Sequence, residues 1–117
     1  MYKRQALATD PTQADARLEK IFALLKLDRL PAAAAEVRVL EQKKPGADKL
    51  SRASLYLADA DLRAYRLESA LEQANKALKI RTSAEAYTIR AAVFQRMGRA
   101  AEAAEDLAAA AKLSPTR

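Results

Sequence analysis

The chain has 117 residues, half of them hydrophobic, with a formal net charge of +6 and an isoelectric point near 9.8. It contains no cysteine and no histidine, which excludes disulfides, thiolate nucleophiles, cysteine metal sites and the commonest general base. Alanine dominates the hydrophobic residues, and only 5% of all residues are aromatic. We therefore expect one all-α domain, with a core of tightly packed helices and a basic surface that favours acidic partners.

The sequence predicts neither a membrane-spanning segment nor a signal peptide. A membrane helix needs about 20 predominantly apolar residues. The alanine-rich stretch 100–113 is interrupted by Glu102, Glu105, Asp106 and Lys112. Residues 1–10 include basic side chains but lack the apolar core of a signal peptide.

The first predicted helix pair spans residues 14–47. Its first helix has apolar side chains at helical spacing, with Phe22 on an adjoining face: Leu18, Ile21, Leu24 and Leu25. Asp28 marks the turn, and Pro31 suits the first turn of the second helix, where its missing N–H costs nothing. The second helix carries Ala33, Val37 and Leu40 and ends before Pro45 and Gly46.

The second predicted pair spans residues 51–83, after an apparent short insertion at 48–50. Leucine and alanine again recur at helical spacing: Leu57, Ala58, Leu67, Ala70, Ala74 and Ala77. This pattern predicts a second helix from about Leu67 to Ile80. Ser54 and Asp61 stand at positions that are aromatic in the third pair, and Tyr65 stands at the turn.

The third predicted pair spans residues 84–117 and has the clearest pattern. Residues three and four apart share a helix face, so two stripes alternate large and small side chains: Tyr87, Ala91 and Phe94, then Ala103, Leu107 and Ala110. A bulky ring on one helix can then lie over an alanine on the other. Gly98 separates the two stripes, and Pro115 ends the second helix.

This last stretch resembles the 34-residue tetratricopeptide repeat, whose pattern is W-x2-L-G-x2-Y, then A-x3-F, then P. One departure is Arg90 in the usual leucine position, where its aliphatic stem can cover apolar surface while the guanidinium reaches water. The resemblance implies a right-handed superhelical solenoid of antiparallel helix pairs, with repeats at 14–47, 51–83 and 84–117. Residues 1–13, which end in ALATDPTQ, are then interpreted as the remnant of a preceding repeat's second helix.

No pattern indicates catalysis, a cofactor or a metal. Asp59 and Asp61 lie on different faces of a helix, so they cannot act as a pair. Glu102, Glu105 and Asp106 are interpreted as a solvated helix face. Two glycines in the whole chain cannot form a phosphate-binding loop.

In tetratricopeptide proteins the first helix of each repeat lines a concave, partner-binding wall. The resemblance implies these binding residues here: Leu18, Phe22, Leu25, Lys26, Arg52, Leu55, Asp59, Leu62, Arg63, Thr88, Gln95 and Arg96. We expect a basic ridge of Lys26, Arg63 and Arg96 beside an apolar strip formed by the four leucines, suited to an acidic and apolar protein segment. The alternative is that the leucines pack under neighbouring repeats and the cations are merely solvated. The lysines and asparagines of the chaperone-tail clamp are absent from the matching positions, so that partner class is disfavoured.

The sequence, rich in alanine and arginine, is similar in composition to the periplasmic repeats of bacterial outer-membrane exopolysaccharide exporters of the Pel, cellulose and poly-N-acetylglucosamine type. Such exporters take part in biofilm formation. That likeness implies a slice of a longer array that recruits a periplasmic polymer-modifying enzyme; otherwise a cytoplasmic scaffold is expected. Two other classes stay open, a helical-repeat nucleic-acid-binding module and a self-association module. Nucleic acid is disfavoured because acids are interspersed among the cations and regularly placed aromatics are few.

Overall fold

Six helices make up the described part of the chain, residues 11–113 of a computed structural model. They are α1 (Pro11–Lys26), α2 (Leu30–Gln42), α3 (Ala47–Arg63), α4 (Leu67–Ile80), α5 (Ala84–Arg96) and α6 (Ala100–Leu113). Residues 11–113 contain no strand. The all-α prediction is confirmed, and α4 has the bounds predicted for it. None of these six helices is both long enough and apolar enough to span a bilayer.

The helices form three consecutive pairs, and each pair contacts only the next. Within the pairs, α1 packs on α2, α3 on α4 and α5 on α6. Between pairs, α3 contacts both α1 and α2, and α5 contacts both α3 and α4. The radius of gyration is 15.5 Å and the extents are 56 × 34 × 23 Å, against roughly 13 Å for the radius of gyration of a compact domain of this length. The molecule is therefore an elongated row of pairs.

The first helices of the pairs approach one another more closely than the second helices do. Backbone contacts join α1 to α3 and α3 to α5, whereas α2, α4 and α6 have no backbone contact with one another in residues 11–113. The Lys76 ammonium on α4 bonds the Glu41 carboxylate on α2 at 2.7 Å. An ion pair between two long side chains thus bridges the wider side of the row.

Small side chains lie where the helices meet. Ala70 is fully buried in a cluster with Leu62 and Val93, so it joins α3, α4 and α5. Ala91 and Ala103 are each 1% exposed and pack together with Phe94. Alanine lets two helix backbones approach closely enough to pack without voids. The predicted placement of these alanines between helices is confirmed.

The turn inside each pair has the same backbone geometry. Its central residue has a positive φ in every case: Asp28 at 65°, Tyr65 at 64° and Gly98 at 80°. The next residue is always an arginine, whose N–H donates to the carbonyl five residues earlier: Arg29 to Leu24 at 2.9 Å, Arg66 to Asp61 at 2.8 Å and Arg99 to Phe94 at 2.8 Å. This is the Schellman ending of a helix, which favours glycine at the left-handed position.

Replacing Tyr65 by glycine should stabilise the fold. A bulky residue at positive φ is strained, whereas glycine adopts that conformation freely. We expect the free energy of unfolding to rise by about 1 kcal/mol, measured by urea denaturation followed by circular dichroism. Asp28→Gly should gain less, because aspartate tolerates this conformation better than tyrosine. Equal stability of Tyr65→Gly and the unsubstituted chain would contradict the expectation.

The structure corrects several boundaries predicted from the sequence. Asp48–Leu50, interpreted as a short insertion before the second repeat, lie in the first turn of α3. Residues 11–13, predicted to belong to the remnant of a preceding repeat, are part of α1, which begins at Pro11, and proline is well suited to a first helical position. The other predictions for residues 1–10, and the stop at Pro115, lie outside the described residues. Ser83 starts α5 as its N-cap, with its hydroxyl accepting from the N–H of Ala86 at 3.1 Å.

The stripe on α6 is only partly buried. Ala103 and Ala110 are buried, but Leu107 is 43% exposed. Within residues 11–113 the backbone of α6 approaches that of α5 alone, which leaves much of the face that carries Leu107 uncovered. The predicted burial of this leucine is therefore wrong.

Candidate interaction surface

A cavity of about 570 Å³ lies at the amino ends of α1, α3 and α5. It is lined by seven charged residues: Asp15, Glu19, Asp48, Lys49, Arg52, Arg81 and Glu85. Three ion pairs cross it: Lys49 to Asp15 at 2.5 Å, Arg52 to Glu85 at 3.7 Å, and Arg81 to Asp48. Because most of its charges are paired with each other, this cavity has little net charge with which to select a partner.

Two aromatic side chains meet between α1 and α3, further along the first helices. The ring centroids of Phe22 and Tyr56 are 5.2 Å apart, and the planes are tilted by 49°. Phe22 is 44% exposed, and the Lys26 ammonium lies 5.2 Å from the centre of its ring. The pair presents an apolar surface next to a cation, an arrangement that can hold an apolar side chain of a partner.

A second cavity, of about 360 Å³, lies at the carboxyl ends of α1 and α3. It is lined by three cations, one acid and three apolar residues: Lys26, Arg63, Arg66, Asp28, Leu25, Ala60 and Ala64. Arg63 is 3.3 Å from Asp59, which lies one helical turn earlier. This end of the surface is more basic than the amino end.

The structure separates the predicted binding residues into two groups. Phe22, Lys26, Arg52, Arg63, Thr88, Gln95 and Arg96 are exposed, and Asp59 is half-buried. The four leucines are only 5–8% exposed: Leu18, Leu25, Leu55 and Leu62. They belong to the core, because they pack in clusters that include residues of the second helices α2 and α4 as well as of the first helices. The expected exposed apolar strip is therefore wrong, and Phe22 with Tyr56 is the apolar part of this face.

Arg90 is bound to a buried acid, which sequence reasoning missed. Its guanidinium donates from Nε and Nη2 to the two carboxylate oxygens of Asp106, both at 2.8 Å, and from Nη1 to the side-chain oxygen of Asn75 at 2.9 Å. Asp106 is 4% exposed, and the bonds to it raise the pKa of Arg90. The prediction that Asp106 belongs to a solvated face is therefore wrong, whereas the Arg90 side chain remains 25% exposed. The group ties α4, α5 and α6 together.

Asp61 is the other buried carboxylate of the described residues, at 3% exposure. It accepts hydrogen bonds from Arg66 Nε at 3.0 Å and from the Ser69 hydroxyl at 2.5 Å. The arginine belongs to the turn after α3 and the serine to α4, so the acid fixes the turn in place. The sequence carried a signal for this contact: an acid stands where a large apolar residue was expected, and an arginine follows it five residues later.

Within residues 11–113 no three acidic side chains are grouped as metal ligands. The fold and this surface define a broad class, all-helical proteins built from stacked helix pairs. Comparison with known proteins narrows it no further: no protein-family model, no curated protein and no solved structure matches the chain.

Proposed function

We propose that the chain is a non-catalytic scaffold of the tetratricopeptide type, in which three repeats form a right-handed solenoid that binds a protein partner. The observation that carries this proposal is that each helix pair contacts only its neighbours, which is the defining property of a solenoid. Two further features support it. The same left-handed turn recurs at Asp28, Tyr65 and Gly98, and the alanines of the repeat pattern are buried.

The proposed binding face is the exposed side of α1, α3 and α5. Its apolar element is the Phe22–Tyr56 pair, and its basic element comprises Lys26, Arg63 and Arg96. A protein segment that mixes acidic and apolar side chains suits this combination, because carboxylates pair with the cations while an apolar group packs on the rings. Arg52, Asp59, Thr88 and Gln95 complete the face as polar contacts.

In the cell, we propose that the scaffold is part of a longer array in a bacterial exopolysaccharide exporter and recruits a periplasmic polymer-modifying enzyme. The proposal is supported by the alanine- and arginine-rich composition of the sequence and by its net charge of +6. A basic surface disfavours direct binding of a cationic, deacetylated polysaccharide and favours an acidic protein. Finding a signal peptide upstream and a β-barrel downstream in the parent reading frame would test this setting, and a parent that lacks both would contradict it.

Reversing two cations of the proposed face should weaken peptide binding. Selection from a displayed random-peptide library is expected to yield sequences rich in acidic and apolar residues. The double variant Arg63→Glu, Arg96→Glu should then bind the selected peptides at least about tenfold more weakly, measured by fluorescence anisotropy, since two attractive charges become repulsive.

A matched control makes the same change of charge on the second helices. Arg38→Glu with Lys79→Glu alters exposed residues of α2 and α4, so its affinity should equal that of the unsubstituted chain. Unchanged affinity in the first double variant would contradict the proposed face. Failure to select any peptide would contradict the proposed function itself.

The nucleic-acid alternative has less support from the same surface. Carboxylates lie beside its cations, as Asp59 does beside Arg63 and Asp28 does in the carboxyl-end cavity. A uniformly negative phosphate backbone would be repelled by these acids, whereas a peptide can place a polar or basic side chain opposite them. Tight, salt-sensitive binding to single-stranded RNA would reverse this preference.

A further inference from the structure

The three turns within the helix pairs share a pattern of charge as well as a backbone geometry. In each turn a basic residue stands two positions before the left-handed residue and an arginine stands directly after it. The six cations are Lys26 and Arg29, Arg63 and Arg66, and Arg96 and Arg99. All six are exposed. We call residues 26–29, 63–66 and 96–99 the turn edge.

The three turns lie side by side along one margin of the molecule. The carboxyl-end cavity is lined by residues of the first two turns, among them Lys26, Asp28 and Arg66. The third turn adjoins the second, because the guanidinium carbon of Arg96 lies 5.9 Å from the centre of the Tyr65 ring. The turn edge is therefore one continuous surface.

The turn edge also carries two large apolar side chains that are well exposed. Leu27 is 66% exposed and Tyr65 is 61% exposed, more than any other large hydrophobic residue of the part of the chain that the structure describes. Tyrosine and arginine are enriched among the residues that contribute most to binding energy in protein interfaces, so the composition of the turn edge favours a role in binding.

Tyr65 adopts a backbone conformation that is unusual for a large side chain. Its φ is 64°, a value that strains a bulky residue, and glycine occupies the equivalent place in the third turn. Strained residues persist at positions where the side chain has a role. The ring covers no core, since most of it is exposed, so its contribution to folding does not account for its presence.

The acids beside the turn edge indicate what kind of partner it suits. Arg63, Arg66 and Arg99 each pair with a carboxylate: Asp59 at 3.3 Å, Asp61 at 3.0 Å and Glu102 at 2.7 Å. These ion pairs partly neutralise the positive charge along the turn edge. Polyphosphates would meet alternating attraction and repulsion, whereas a peptide can alternate acidic and apolar side chains to match.

We propose that the turn edge is a second docking surface, which takes an extended acidic protein segment whose apolar or aromatic side chains pack on Tyr65 and Leu27. Carboxylates of that segment pair with Lys26, Arg29 and Arg96. The inference rests on the proposed function as a protein-binding scaffold and adds to it a surface outside the Phe22–Tyr56 face. Lys26, Arg63 and Arg96 border both surfaces.

The test is an NMR titration of the ¹⁵N-labelled chain with a synthetic peptide that repeats the sequence Asp-Glu-Phe-Asp-Glu-Leu. Chemical-shift changes are expected at Leu27, Tyr65 and Gly98. Shifts confined to the surroundings of Phe22 and Tyr56 would overturn the turn-edge proposal and leave the proposed function standing. If this peptide causes no shifts while a library-selected peptide still binds, the turn-edge proposal is likewise overturned and the proposed function stands. If neither peptide binds, the turn-edge proposal and the proposed function are both overturned.

Two variants make the test independent of folding. Tyr65→Gly should bind the synthetic peptide at least about tenfold more weakly although it is the more stable protein, because the packing surface is gone. Leu107→Ala removes an exposed large apolar side chain of α6, outside both surfaces, and should bind this peptide as the unsubstituted chain does. Unchanged affinity in Tyr65→Gly, or tighter binding to a single-stranded RNA of equal charge than to the peptide, would overturn the proposal.

Discussion

Replacing Arg90 by leucine is expected to destabilise the protein by about 3 kcal/mol, even though leucine is the usual residue of the repeat pattern at this position. The reason is Asp106, which is 4% exposed and whose two carboxylate oxygens each accept a short hydrogen bond from the Arg90 guanidinium. Without the guanidinium, a carboxylate stays buried and unpaired. Urea denaturation followed by circular dichroism measures the change.

The double variant Arg90→Leu, Asp106→Leu provides the control. Removing both charges leaves two apolar side chains of suitable size, and replacing a buried ion pair in this way is often neutral or stabilising. We expect it to recover most of the stability lost in Arg90→Leu. If the single and double variants were equally destabilised, the loss of stability would come from altered packing around residue 90 and not from an unpaired, buried Asp106 carboxylate.

Enlarging Ala70 to leucine is expected to cost up to about 3 kcal/mol of folding stability. Ala70 is fully buried where α3, α4 and α5 meet, against Leu62 and Val93. Three further carbon atoms at this point must separate the helices or force side chains out of their rotamers. The free energy of unfolding from urea denaturation measures the effect.

Ala104 is the matched control for this substitution. It lies on α6 and is exposed, so Ala104→Leu should change the stability by no more than about 0.5 kcal/mol. Equal effects at Ala70 and Ala104 would mean that the alanines are not placed by helix packing. The assignment of the repeat phase would then lose its main physical support.

The sequence predicted the helix pairs well because helical periodicity and turn residues are local signals. The bounds of α4 and the burial of Ala70, Ala91 and Ala103 follow from spacing alone. The first turns of α3 were missed because Asp48–Leu50 are compatible with either a loop or a helix, and only contacts with the neighbouring pair decide between them.

The binding face was harder to predict, because burial depends on how one pair lies on the next. Leu18 and Leu55 occupy positions that the resemblance assigns to the concave wall, yet each is almost wholly covered. The pairing of Arg90 with Asp106 joins residues on different helices, so spacing along either helix gives no sign of it. The exposure of Leu107 likewise depends on which helix lies beside α6.

The unequal spacing of the helices affects how far a partner must reach. Successive backbone contacts join α1, α3 and α5, whereas no such contacts join α2, α4 and α6 within residues 11–113. A path over the first helices therefore crosses narrower gaps than a path over the second helices. A short stretch of extended polypeptide laid across α1, α3 and α5 can then meet all three pairs at once.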